Sequence, residues 1–208
     1  MREVASSNLA VPTIFLFSKF FSPPSFIFSA TARSTDNSSF EEMPCNESLL
    51  DKGGKQPRRG HASAARRGLA ADDIGFLQTS GVGVIVSALT PNEIEELALA
   101  EEQSCCNARG LIFYSFPIDD RSVPASLSKF NEFLRRLNSE LQKGLAIAIH
   151  CRAGIGRSSL IAACLLIKRG FVAEDALRLV EEARGVPVPD TQEQLDWIKE
   201  FGNQTAKF

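Results

Sequence analysis

Three short apolar runs interrupt the helical spacing of this chain, and they set its expected architecture. Val82 to Leu89 is rich in β-branched residues, Leu111 to Phe116 follows, and Leu145 to Ile149 is the third. Each has the length and content of a buried strand. Between them, apolar positions recur every three or four residues. Ala70 to Ser80 places Ile74 and Leu77 on one face and stops at Gly81. Thr90-Pro91-Asn92-Glu93 is a capping box with proline in the first turn, opening a helix expected to reach about Gln103. Residues 125–142 line up Leu127, Phe130, Phe133, Leu134, Leu137 and Leu141 on one stripe. Leu160 to Ile167 is apolar on every side, so that helix is expected to be buried and to end at Gly170. Two further helices are expected near 173–184 and 191–202. Strands alternating with helices predict an α/β fold, a compact, mostly parallel central sheet flanked by helices. Ligands of such sheets sit beyond the carboxyl ends of the strands.

The amino-terminal third follows no such pattern. Residues 1–42 read as a disordered or targeting extension: the first forty hold seven of the fifteen Phe and nine Ser, with Glu3 and Asp36 as their only acids. Val11 to Phe28 is broken by Lys19 and Pro23-Pro24, too short and interrupted for stable membrane insertion. An acid-poor, Ser-rich start with Ala30-Thr31-Ala32 fits an organelle-targeting segment over residues 1–32. The competing readings are an untargeted tail, or an untranslated extension with Met43 as the working start. Residues 43–67 read as a basic flexible linker, and the folded domain is expected over 68–208.

Composition narrows the function. A net charge of −2 gives nucleic acid no foothold. Five cysteines without framework spacing argue against a disulfide scaffold and for a reducing, cytoplasmic setting. Cys105 and Cys106, being adjacent, are expected to be loop thiols.

The chemistry lies in His150-Cys151-Arg152-Ala153-Gly154-Ile155-Gly156-Arg157-Ser158, between the third strand and the buried helix. Backbone N–H groups of such a turn and the positive end of the helix make an anion cradle. A cysteine placed there is favoured as the thiolate. Gly154 and Gly156 permit close backbone approach, and Arg157 can fork two N–H groups onto phosphoryl oxygens. Ser158 can donate to the Cys151 sulfur. His150 is expected to bond into the loop backbone and fix its shape. The plain alternative for Cys151, a buried core thiol, leaves the histidine, glycines, arginine and serine around it unexplained.

His150-Cys151-x5-Arg157-Ser158 resembles the signature of the cysteine-dependent protein tyrosine phosphatase superfamily, in its dual-specificity-like branch, and the similarity runs from Gly68 to Phe201. The resemblance implies a two-step phosphomonoester hydrolysis. Cys151 attacks phosphorus, Arg157 stabilises the equatorial oxygens, and water releases phosphate. It implies no cofactor and no metal, a phosphorylated protein as substrate, and a monomer. A general acid is required. Phe116-Pro117-Ile118-Asp119-Asp120-Arg121-Ser122-Val123-Pro124 resembles the family's acid loop, which assigns the acid to Asp120 with Arg121 beside it and keeps Asp119 as runner-up. Family members usually place a strand before the first helix, and none is legible in residues 43–70. Thiolate and protonated acid must coexist, so activity is expected to peak on the acid side of neutrality.

Thr191-x-x-Gln194 reads as a capping box; some relatives use such a glutamine to position water, and the cap is the preferred reading. Arg184 can support the site or cap its helix. The near absence of large aromatics in 43–70 favours a shallow pocket for phosphotyrosine and phosphoserine/threonine. A loop without lysine disfavours phosphoinositides, although Arg152 keeps that alternative open. The other alternative is a catalytically weak phosphate-binding module.

Overall fold

The computed structural model describes residues 71–205 together with the backbone of Phe15–Phe17. The targeting segment, the 43–67 linker and Cys45 otherwise lie outside the described residues. In chain order the elements are β1 (Phe15–Phe17), α1 (Ala71–Thr79), β2 (Val82–Ser87), α2 (Pro91–Glu96), α3 (Glu102–Ala108), β3 (Ile112–Ser115), α4 (Leu127–Gln142), β4 (Ala146–His150), α5 (Arg157–Lys168), α6 (Ala173–Arg184) and α7 (Gln192–Thr205). The strand order is β1-β4-β2-β3, with β4, β2 and β3 parallel and β1 antiparallel on the β4 edge. This strand thus falls inside the extension set apart in the sequence, while residues 43–70 lie outside the described residues. Phe15–Phe17 is too short and too poorly bounded by turn residues to stand out of a Phe-rich stretch.

The chain leaves β2 over one face to reach β3, then crosses back past β2 on the other face through α4 to reach β4. That reversal opens a crevice between β2 and β4 at their carboxyl ends. On one face Val84, Val86, Ile147 and Ile149 pack against α4, α5, α6 and α7. Helix α5 is buried along nearly its whole length, as its uniformly apolar sequence requires. Phe116 stacks on Phe133 at 4.6 Å between centroids, and Phe130 meets Trp197 edge-on at 5.1 Å, closing this side of the core. Of the predicted α4 stripe, Leu127 alone lies outside the core, at the first turn. On the opposite face Ile85 and Ala148 pack against Ile74 and Leu77 of α1 and Cys105 and Cys106 of α3.

Two expectations are corrected. The helix predicted from Pro91 to Gln103 stops at Glu96, because Leu97 and Leu99 both turn toward Leu89; a two-residue spacing cannot share one helical face, and Ala98 takes the left-handed conformation at φ 55° to permit it. Cys105 and Cys106 are buried helical side chains in the α1–α3 core, where they serve as small apolar residues, and not loop thiols. Burial, with the charges of Glu102 and Cys105 adding to it, pushes the Cys106 thiol up to about 12.

Candidate active site

The turn after β4 carries the nucleophile candidate at the start of α5. Cys151 is 3% exposed. Its Sγ accepts the Gly154 N–H at 3.2 Å and lies 3.4 Å from the Ser158 hydroxyl. Gly154 has φ 67°, a left-handed conformation in which a side chain would be strained. Gly156 is crowded for a different reason: a Cβ there would lie 2.9 Å from Gln194 Oε1 and 3.1 Å from Asp190 Cβ, so those side chains would have to shift. Helix α5 has no side-chain cap. Its first-turn N–H groups are therefore left to the loop and whatever occupies it.

Arg157 is 2% exposed and almost fully engaged. Its Nη1 and Nη2 fork onto Glu93 Oε2 and Oε1 at 2.6 and 2.8 Å. Nη1 also donates to the Ile118 carbonyl at 3.0 Å, and Nη2 to Asp120 Oδ1 at 3.0 Å. Burial opposes the charge on Arg157, but the Glu93 fork and the neighbouring negative groups outweigh it and raise its pKa. Burial likewise opposes the Glu93 charge, and hydrogen bonds to that carboxyl from Arg157 and from the Thr90 N–H and hydroxyl hold it below its ordinary 4.5. The predicted Thr90–Glu93 capping box is present, yet the Glu93 carboxylate serves the cap and Arg157 together. The cap explained Glu93 so completely that the sequence left no reason to look further. The available signal was positional, because Glu93 follows the carboxyl end of β2, one of the strands that border the crevice.

Asp120, Arg121, Cys151, Ala153, Ile155, Gly156, Arg157 and Asp190 line one open cleft. Asp120 and Cys151, from distant parts of the chain, therefore share a site. Asp119 is exposed and not among the lining residues; its carbonyl accepts the Ser122 N–H within the turn. Arg152 contributes its backbone to the loop, but its guanidinium turns out to Glu96 Oε2 at 2.8 Å. The His150 side chain does not bond into the loop as expected. It points to the α3 face, where Nε2 lies 2.7 Å from Glu102 Oε1, a buried polar contact whose angle falls short of an aligned hydrogen bond. The reason is register: His150 sits opposite Ser87, two positions beyond Ala148, which packs on that same face.

Arg184 supports the loop from behind, its Nε donating to the Gly154 carbonyl at 2.6 Å and Nη2 to the Ala153 carbonyl at 3.2 Å. Burial lowers its pKa. Gln194 divides its groups. Its backbone N–H donates to Thr191 Oγ1 at 3.2 Å, which is the expected helix cap, while its side-chain Nε2 donates to the Ser122 carbonyl at 2.9 Å. Its Oε1 is buried with no hydrogen-bond partner and faces Gly156. The cap therefore accounts for the backbone of Gln194 and not for its amide. Among the described residues no cluster of three or more His, Cys, Asp or Glu could hold a metal, and no helix is long and apolar enough to cross a membrane.

A cysteine and an arginine flanking a glycine-bearing loop at a helix start, beside a strand-end carboxylate, place fold and site in the α/β cysteine-phosphatase class. The family model described as "Polymorphic toxin system, DSP-PTPase phosphatase" matches residues 59–171, and the chain belongs to that family. Among similar proteins, cyclin-dependent kinase inhibitor 3 of Rattus norvegicus is 25% identical over 138 residues, covering 65% of each chain. Protein tyrosine phosphatase PRL-1 of Leishmania major is 31% identical over 103 residues, covering 45% of this chain and 57% of its own. The chain thus spans just under two thirds of the length of the cyclin-dependent kinase inhibitor 3 relatives and less of PRL-1. Among solved structures, Tk-PTP in its active form matches with a TM-score of 0.56 at 26% identity, covering 65% of this chain and 87% of that one. The fold is also that of kinase-associated phosphatase KAP with its catalytic-site cysteine replaced by serine, at a TM-score of 0.58 and 24% identity, covering 66% and 78%.

Proposed function

We propose that this protein hydrolyses phosphomonoesters of proteins, phosphotyrosine first and phosphoserine/threonine as well, through a cysteinyl-phosphate. The observation that carries this reading is the Cys151 sulfur held 3.2 Å from the Gly154 N–H in a cleft that Arg157 and Asp120 also line. Cys151 Sγ attacks phosphorus and the bond to the leaving oxygen breaks, while Asp120 delivers the proton that oxygen needs. Loop N–H groups and Arg157 bear the charge on the equatorial oxygens, and Ser158 faces the sulfur as it departs in the second step. Water then attacks phosphorus, returning the thiolate and releasing inorganic phosphate.

Cleft composition supports the substrate class. Among the described residues its lining includes no aromatic side chain and no lysine. A cleft without an aromatic rim suits short and long phosphorylated side chains alike. The phosphoinositide alternative loses its main support because Arg152, the one extra cation of the loop, is turned to Glu96. That the relatives include proteins named protein tyrosine phosphatase and dual specificity protein phosphatase agrees with a phosphoprotein substrate. A panel of phosphotyrosine, phosphoserine and phosphothreonine peptides beside a phosphoinositide tests the assignment. Turnover of the peptides is expected, and preference for the phosphoinositide would contradict it.

A further inference from the structure

The acid loop is exposed, carries no regular secondary structure, and is nevertheless gripped on two sides. Asp120 itself is 65% exposed. From within, Arg157 holds the Ile118 carbonyl and the Asp120 carboxylate. From without, the segment that starts α7 holds the next two residues. Gln194 Nε2 donates to the Ser122 carbonyl at 2.9 Å, Thr191 Oγ1 reaches the Arg121 carbonyl at 3.4 Å, and Asp190 pairs with the Arg121 guanidinium at 3.1 Å. Arg121 is held at φ 60°, a conformation that non-glycine residues adopt where their surroundings impose it. Gln194 is fully buried and also abuts Gly156, so one side chain touches both loops of the cleft.

We infer that Asp190, Thr191 and Gln194 form a latch that holds the acid loop closed over the phosphate loop before substrate arrives. They are positioning residues acting through the backbone on either side of Asp120, and this rests on the proposed role of Asp120 as the acid. Substrate then meets an assembled site, with no loop closure to complete.

The test compares the full-length protein with its Asp190→Ala and Thr191→Val variants. Each is assayed on an aryl phosphate with a good leaving group and on one with a poor leaving group, and amide hydrogen exchange is followed over residues 117–124. A loosened latch misplaces the acid, so the poor substrate is expected to lose roughly ten- to hundredfold in kcat, while the good one changes by less than about twofold. Exchange in 117–124 should speed up, and Asp190→Glu should restore much of the lost rate. Equal losses on both esters, or unchanged exchange in both variants, would overturn the latch. Asp120→Ala, run alongside, separates the two claims. If that variant shows no selectivity between the esters, the acid assignment fails and takes the catalytic role of the latch with it. Hydrogen exchange still decides whether 190–194 restrains the loop.

Discussion

The phosphate loop and the acid loop face each other across one cleft but are built by opposite means. Cys151, Arg157 and Ser158 are buried, and their loop is continuous with a buried strand and a buried helix. Its main charge pair, Arg157 with Glu93, is shut away from water. The acid loop lies on the surface. Asp120 and Arg121 are mostly exposed, and a few polar contacts from α5 and from the start of α7 hold them in place. One half of the site is therefore part of the core, and damage to it should reach stability. The other half is attached to the core, and damage to it should reach only rate.

Four substitutions, with Asp119→Ala as a control on the first, test that division in order of expected effect. Asp120→Ala should lower kcat on poor leaving groups by roughly 10²–10⁴-fold with the thermal midpoint unchanged. A larger loss from Asp119→Ala would move the acid to that residue. Glu93→Ala removes the bidentate partner of a buried guanidinium, leaving it the Ile118 carbonyl and the exposed Asp120 carboxylate, and should destabilise the fold by about 3–5 kcal/mol in denaturant titrations. That substitution also carries a pH signature. Because the folded Glu93 carboxyl is held below 4.5, its contribution is fully present above that pH and is lost as pH falls through the lowered folded value. The wild-type protein should therefore weaken through this window more steeply than the variant. Arg157→Lys keeps a charge but loses the fork, and should cost kcat about 10²–10³-fold. Glu96→Gln touches only an exposed pair with Arg152, so stability should move by less than about 1 kcal/mol, with turnover of phosphopeptides unchanged. If Asp120→Ala destabilised the fold while Glu93→Ala left it intact, the division between the two loops would be wrong.

The same contrast explains how much could be read from the sequence. The phosphate loop was legible because its parts are contiguous: strand, cysteine, glycines, arginine and helix follow in order. Sheet class, most helices and the 145–170 region follow directly from periodicity. Asp120 was singled out only through the resemblance of 116–124 to the family's acid loop, in the segment that follows β3. What holds these residues in place was not legible. Glu93 lies 64 positions from Arg157, and Gln194 lies 72 from Ser122. Each already had a sufficient local role as part of a helix cap, and local sequence carries no mark of a second, distant partner. The His150–Glu102 contact was hidden for a related reason, since it depends on which sheet face His150 takes, and sheet register is set by tertiary packing. Phe15–Phe17 shows the limit in its plainest form. Three residues supply no periodicity of their own, and the edge of β4 alone makes them a strand.

Rapid acid quenching during turnover of an aryl phosphate tests Cys151 as a covalent nucleophile most directly. Peptide mapping by mass spectrometry should find a phosphoryl adduct on Cys151 in the wild-type protein and none in Cys151→Ser, which should not turn over. Hydrolysis by Cys151→Ser, or an adduct on any other residue, would contradict the mechanism.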